Sequence, residues 1–172
     1  LPDQERLRSL FRYDDRGLLF WREKVNSQVD LAKPAGYIGP KGYRHVGLNG
    51  VMHKHHRLVW CYFNGDPGNL LIDHINYMPG DDRIENLRLA TMSENKRNMP
   101  APTTNSSGYK GVSFHKATNK WRAQIKKDGA TRHLGYYDSP KEAFDVYVQT
   151  AAELYGEYAF AGVELSQGDS ND

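Results

Sequence analysis

LLIDHINYMPGDDRIENLRLATMSENKRN, Leu70–Asn98, is the stretch on which the fold turns. "LLID" reads as a short buried strand, "NYMPGDD" as a polar loop and "LRLA" as a return strand, because short apolar runs are separated by Pro, Gly and Asp. "TMSEN" then starts a helix, with Thr91 in the N-cap position and Glu94 three residues on, the spacing of a capping box. Into this strand–loop–strand–helix unit the chain places Asp73, His74, Asn86 and Asn95, side chains that are costly to bury without partners. Folding brings the end of the first strand to the first turn of the helix. The Asp73 carboxylate and the Asn95 amide oxygen could then share one hard cation, with positions left for water and a phosphate, as Mg²⁺ prefers. Asp73 and His74 are neighbours on a strand and point to opposite faces unless the strand ends between them. A strand end there would let His74 approach the same phosphate from the water side, and an ordinary imidazole pKa of ~6.5 suits a general base.

Outward toward the N-terminus, "PDQERLRSLFRYDD" reads as a short helix with Leu7, Leu10 and Phe11 on one side, followed by a strand at "GLLFWR". Strands near Tyr43–Leu48 and Val51–Lys54 flank Asn49-Gly50, a strong hairpin signal. A helix begins near His55, carrying Leu58, Val59, Tyr62 and Phe63 at helical spacing, and stops at Gly65-Asp66-Pro67. His53, His55 and His56 raise a second possibility, a zinc site completed by His74, although zinc usually recruits a thiolate or a further histidine in tetrahedral geometry.

Composition sets limits on both readings. The 172 residues suit one compact domain or two small ones. Hydrophobic residues are 38% and charged residues 26%, and no apolar stretch approaches the ~20 residues of a spanning helix. Leu1–Leu10 carries Asp3, Glu5, Arg6 and Arg8, unlike a signal peptide. The lone Cys61 excludes a disulfide within the chain and any site built from several thiolates, so an intracellular setting is expected. The net charge of +2 hides a division. Between Tyr109 and Gly135, Lys110, Lys116, Lys120, Arg122, Lys126, Lys127 and Arg132 face one acid, Asp128, whereas the following segment is acidic. A positive face of that kind attracts a polyanion.

The Pro-, Ser- and Thr-rich "MPAPTTNSSG" divides the chain. The expected organisation is α+β: a first domain at 1–99, a linker at 100–107, a second domain at 108–160 and a polar, fraying tail at 161–172. In the second domain "YKGVSFH", "KWRAQIKK" and "RHLGYY" read as an antiparallel meander, and "SPKEAFDVYVQTAAELYG" as an amphipathic helix capped by Ser139 with Pro140 at its first position. Ala143, Phe144, Tyr147, Ala151 and Leu154 fall on the helix face that covers one side of the sheet. If Trp121, Ala123 and Ile125 pack on that helix, then Arg122, Gln124 and Lys126 point outward.

The blocks "HRLVW" (His56–Trp60), "IDHIN" (Ile72–Asn76), "RIENLRLAT" (Arg83–Thr91) and "ENKRN" (Glu94–Asn98) together resemble the His-Asn-Asn branch of the HNH nucleases, found among phage and intron-encoded homing endonucleases. The resemblance implies a ββα-metal (His-Me finger) fold holding one divalent cation per active site, Mg²⁺ or Mn²⁺. It implies His74 as general base, Asp73 and Asn95 as metal ligands, and Asn86 as the asparagine that ties the loop and orients the histidine. His56 and Arg57 sit where that family places groups near the DNA backbone. The loop "NYMPGDD" departs from the commoner Asn-Gly form.

"YKGV", "KWRAQI", "HLGYYDS" and "LYGEYA" likewise resemble the AP2 DNA-binding domain, whose three-stranded sheet lies in the major groove. Its contact positions fall on Lys110, Ser113, His115, Lys126, Thr131 and His133, to which the outward Arg122 and Gln124 are added. Ser113, Thr131 and His133 stand where the plant domains often carry guanine-reading residues, so the plant target sequence does not transfer. The implied function is a divalent-metal-dependent endonuclease on double-stranded DNA, acting as a monomer that nicks or a homodimer that cuts both strands. The rival is a DNA-binding regulator built on a non-cleaving HNH-like scaffold. An RNA-binding role is disfavoured, since the second part lacks exposed aromatic stacking pairs.

Overall fold

The computed structural model describes residues 1–102 and 104–159, so the expected tail at 161–172 lies outside the described residues. The chain forms two compact units, Leu1–Asn95 and Lys96–Asp172. Among the described residues no helix is long and apolar enough to cross a membrane.

The first unit opens with α1 (Gln4–Leu10), capped by Asp3, whose carboxylate accepts the Arg6 N–H at 2.7 Å. The helix stops at Leu10 rather than running to Asp15, because Phe11–Tyr13 forms strand β1 and pairs with β2 (Leu19–Trp21). Pairing buries Phe11 and the whole of β2. The turn between them is held by Asp14, whose Oδ1 accepts from the Arg16 and Leu18 N–H groups at 3.1 and 3.0 Å. Next comes a three-stranded sheet of β3 (Tyr37–Ile38), β4 (Arg44–Leu48) and β5 (Val51–Lys54), with β4 central. Asn49 and Gly50 turn the β4–β5 hairpin with φ of 50° and 77°, the left-handed pair that a two-residue turn requires.

α2 (His55–Asn64) follows directly and buries Leu58, Val59 and Cys61. Its end is Gly65, φ 84°, whose N–H returns to the Cys61 carbonyl at 3.1 Å. Then β6 (Leu71–His74) and β7 (Leu87–Ala90) pair antiparallel and lead into α3 (Met92–Asn98). The expected capping box forms: the Thr91 N–H donates to Glu94 Oε2 at 2.7 Å and the Glu94 N–H to Thr91 Oγ1 at 3.2 Å. Leu7, Phe11, Leu19, Val46, Leu58 and Leu87 meet in one core, so α1, both hairpins and α2 close on the strand that carries Asp73 and His74.

In the second unit β8 (Val112–His115), β9 (Lys120–Lys127) and β10 (Ala130–Tyr137) form an antiparallel sheet with β9 central. Asp128 and Gly129, with φ of 50° and 83°, make a two-residue turn, so β10 starts earlier than a four-residue "DGAT" turn would allow. The β9–β10 register shifts at a bulge between His133 and Gly135. α4 (Pro140–Tyr155) is capped by Ser139, whose Oγ accepts the Glu142 N–H at 3.1 Å. Its buried Ala143, Tyr147 and Ala151 cover Val112, Ala123 and Ile125 on one side of the sheet. Within the stretch read as a linker, Asn105 and Ser107 are tied to the start of the sheet: Asn105 Nδ2 donates to the Tyr109 carbonyl at 2.8 Å and Ser107 Oγ to the Val112 carbonyl at 2.9 Å.

Gly17 links the β1–β2 turn to the loop before β7. Its φ is 83°, and a Cβ added there would lie 2.3 Å from the Arg83 nitrogen and 2.6 Å from the Asp82 carbonyl carbon, both backbone atoms that cannot step aside. Gly17→Ala is expected to lower stability by at least about 1–3 kcal/mol from backbone strain alone. Urea denaturation followed by circular dichroism checks this; an unchanged midpoint would contradict the close approach.

Candidate active site

The β6–β7 register sets Asp73 opposite Arg88 and His74 opposite Leu87, and strand alternation sends the Asp73 and His74 side chains to opposite faces. On one face the Asp73 Oδ2 accepts from Arg88 Nε and Nη2 at 3.0 and 2.9 Å, a buried ion pair. On the other, His74 is buried with Nε2 2.7 Å from Asp82 Oδ1. The His56 ring meets His74 edge-on at 4.9 Å, and Tyr43 lies 5.5 and 6.0 Å from the two imidazoles. β6 runs through His74 rather than ending between Asp73 and His74, so the strand end that would bring both side chains to one face is not formed.

Asp82 is the hub of this cluster, although the sequence alone shows it only as part of a polar loop. Just 2% exposed, it offers Oδ1 to His74 and Oδ2 to His55 Nδ1 at 2.5 Å. The far nitrogen of His55, Nε2, accepts the Leu19 N–H at 3.1 Å. An imidazole that accepts at Nε2 carries its proton on Nδ1, so His55 donates to Asp82. Burial alone would raise the Asp82 carboxyl, but the hydrogen bonds from His55 and His74 outweigh it and hold the group down at about 2. His56 moves the other way from a free imidazole, to about 3, because burial, and then His74 beside it, disfavour its charged form. The only sequence signal for Asp82 is the doubled Asp81-Asp82 before "RIENL"; the His55 contact spans the fold and leaves none.

Asn86 organises the loop. Its Oδ1 accepts the Asn76 N–H at 3.1 Å, while Nδ2 donates to Asn76 Oδ1 at 2.9 Å and to the Asp81 carbonyl at 2.7 Å. Asn76 Nδ2 and the Arg83 guanidinium hold the Asp81 carboxylate, each at 2.7 Å. Asn95 lies in the capped start of α3, half-exposed, with its N–H on the Thr91 carbonyl at 3.0 Å. His56, expected near a DNA backbone, is 5% exposed and packed against His74 and Tyr43; Arg57 is half-buried.

Two donor sets bear on a metal. The Asp73 carboxylate and the Asn95 amide are hard oxygen donors of the kind Mg²⁺ takes, and Asp73 already shares its charge with Arg88. His56, His74 and Asp82 each offer a ligand atom within 4.8 Å of one another, a nitrogen-rich set suited to a transition metal. Of the four histidines considered for zinc, the structure gathers His56 and His74 with Asp82, commits His55 to Leu19 and Asp82, and leaves His53 out of the group. The 2.7 Å His74–Asp82 distance is that of a hydrogen bond, and that pair needs no ion to be satisfied.

In the second unit the register puts Ser113 opposite Arg122, His133 opposite Gln124 and Thr131 opposite Lys126. With His115, they share the sheet face away from α4. Arg122 Nη2 reaches Ser113 Oγ at 3.3 Å, while its Nε is buried without a hydrogen-bond partner among the described residues. Tyr136, which the sequence reading does not single out, joins His115 and His133 in a row of rings with centroids 4.9 and 4.6 Å apart. Lys110 is placed differently. Its ammonium donates to the carbonyls of Lys96 at 3.2 Å, Arg97 at 2.6 Å and Met99, closing the end of α3, and burial lowers it to about 8.

Residues 53–97 match the family model described as HNH endonuclease. Over 107 residues the chain is 36% identical to Protein 3.8 of Escherichia phage T7, covering 62% of this chain and 88% of the relative. It is 28% identical over 130 residues to an HNH endonuclease of Acanthamoeba polyphaga mimivirus, covering 75% of this chain and 67% of that one. A solved structure from work on DNA binding and cleavage by the HNH homing endonuclease I-HmuI aligns over 90% of both chains, with 20% identity and a TM-score of 0.44.

The depressed His56 gives a test of the buried cluster. Between its folded value of about 3 and the ~6.5 of an unfolded imidazole, the unfolded chain binds the proton and the folded chain does not. Stability is therefore present above ~6.5 and falls as the pH drops toward about 3, with a limiting slope of about 1.4 kcal/mol per pH unit from this ring. Urea titrations from pH 7 to pH 4 should show the decline, and His56→Phe should flatten it; equal slopes in both proteins would contradict the assignment.

Proposed function

We propose that this chain, which belongs to the HNH endonuclease family of DNA phosphodiester hydrolases, cuts double-stranded DNA with His74 as general base, and that its second unit docks on the duplex through the open face of its sheet. The observation that carries the reading is the His74 imidazole, buried at the end of β6 with Nε2 on an acid, in a strand–loop–strand–helix unit closed by a capping box. With the proton on Nε2, the lone pair of the ring lies on Nδ1. Nδ1 takes a proton from a water, the water oxygen attacks the phosphorus, and the 3′ oxygen leaves; the carboxylate behind the ring stabilises the imidazolium formed.

A divalent cation, Mg²⁺ or Mn²⁺, held by the Asp73 carboxylate and the Asn95 amide oxygen would supply Lewis-acid stabilisation of the scissile phosphate and the departing oxygen. Arg88 holds the Asp73 carboxylate in place, and the family resemblance makes Asn86 the residue that ties the loop and orients His74. Arg57 is assigned to the DNA backbone near the cut, with His56 supporting His74 from beneath.

The AP2-like role of the second unit rests on the shared face of Ser113, His115, Arg122, Gln124, Lys126, Thr131 and His133. Lysine and arginine there neutralise phosphates, while Gln124 and the histidines are of a size to meet base edges. Recognition by a tethered sheet raises the local concentration of a weakly selective cutter near preferred sites.

Supercoiled plasmid separates this reading from the non-cleaving regulator. Mg²⁺ should yield nicked or linear DNA, EDTA should stop the reaction, and His74→Ala should lower the rate by about 10²–10⁴-fold while DNA binding persists. Tight binding without cleavage in Mg²⁺ or Mn²⁺ would favour the regulator instead. For the sheet, Lys126→Ala is expected to weaken DNA binding across all sequences and to reduce the slope of log K against log salt by about 1; fluorescence anisotropy at several salt concentrations measures both.

A further inference from the structure

We infer that Asp82 and His55 are positioning residues for the reaction: together with the Leu19 N–H they form a buried relay, running from the N-terminal β1–β2 hairpin to His74, that fixes which nitrogen of the base carries the proton. The inference rests on the reading of His74 as general base and goes beyond it, since neither residue belongs to the metal-and-base set.

The relay has a defined direction. A backbone N–H can only donate, so the Leu19 contact at 3.1 Å makes His55 Nε2 an acceptor and places the ring proton on Nδ1. Nδ1–H then donates to Asp82 Oδ2 at 2.5 Å, leaving Oδ1 as an acceptor for the Nε2–H of His74 at 2.7 Å. Each member constrains the next, from a strand hydrogen bond to a reacting side chain. All three side chains are nine-tenths or more buried, so water does not compete for these bonds and their geometry persists.

The carboxylate is also located from its backbone. Gly17 abuts the Asp82–Arg83 peptide, and the Asn86 Nδ2 holds the preceding Asp81 carbonyl. Asp82 is thus fixed by the β1–β2 turn on one side and by the family's loop asparagine on the other. A hydrogen bond to Nε2 favours the Nε2–H tautomer of His74, the form in which Nδ1 can accept a proton. An Asp82→Asn side chain could present its NH₂ group toward His74 and stabilise the opposite tautomer, which cannot act as the base through Nδ1.

The test is long-range ¹H–¹⁵N NMR of the histidine rings in the full chain, without added metal, combined with plasmid-cleavage kinetics. The relay expects His74 as the Nε2–H tautomer and His55 as the Nδ1–H tautomer in the unmodified protein. Asp82→Asn should lose the fixed His74 tautomer and lower kcat by about 10²-fold or more with little change in KM for DNA. His55→Gln, which can keep one donor and one acceptor, should retain more of both than His55→Phe. His74 found as Nδ1–H in the unmodified protein overturns the relay even where a variant fails to fold. So does a loss in Asp82→Asn that excess Mn²⁺ or Zn²⁺ restores, which would make Asp82 a metal ligand, or an unchanged kcat in that variant. Failure of the base reading looks different: His74→Ala would cut normally while the tautomers of the unmodified chain stayed as expected.

Discussion

A buried carboxylate with two imidazoles on it is the constraint around which the first unit is arranged. Asp82 cannot be left alone in a low-dielectric interior, since removing one partner of a buried charge costs several kcal/mol. It is satisfied only if the N-terminus of α2 supplies His55, the end of β6 supplies His74, and the loop before β7 brings the carboxylate between them. Three segments distant in sequence must therefore arrive together. The apolar core of Leu7, Phe11, Leu19, Val46 and Leu58 brings α1, the hairpins and α2 to the positions from which they do so.

Much of this arrangement is legible in the sequence because it is locally encoded. Asn49-Gly50 demands a two-residue hairpin, Thr91 and Glu94 demand a helix start, and alternation along "KWRAQIKK" separates the helix-facing residues of β9 from those on the open face. The Asp73–His74 strand follows from the same kind of signal. What the sequence hides is decided at long range. Phe11–Tyr13 continues a helical pattern yet becomes a strand, because its partner at Leu19–Trp21 offers more burial than another helical turn would. Asp82 looks like one more polar loop residue until His55 reaches it across 27 positions. Lys110 counts toward a basic stretch, but its ammonium goes to the carbonyls at the end of α3. Charge patterning registers which residues are cationic, and only packing determines where each cation is used.

The two units solve different problems with different materials. The first buries its polar groups in hydrogen-bonded pairs, so that the His74 ring is held in one orientation; the second leaves the sheet face away from α4 with Arg122, Lys126 and a row of His115, Tyr136 and His133. Buried partners fix orientation, whereas an uncovered face leaves its side chains free to meet another molecule.

The bulge between His133 and Gly135 has a bearing on solubility. β10 is an edge strand eight residues long, and a flat edge of that length would offer its unpaired backbone groups to the same edge of another molecule. The register shift bends the strand and sharpens its twist, so two such edges cannot lie straight against each other. Arg132, two residues beyond the start of β10, adds like-charge repulsion between copies. The sheet can thus keep an open, unprotected face without its border becoming a template for fibre growth.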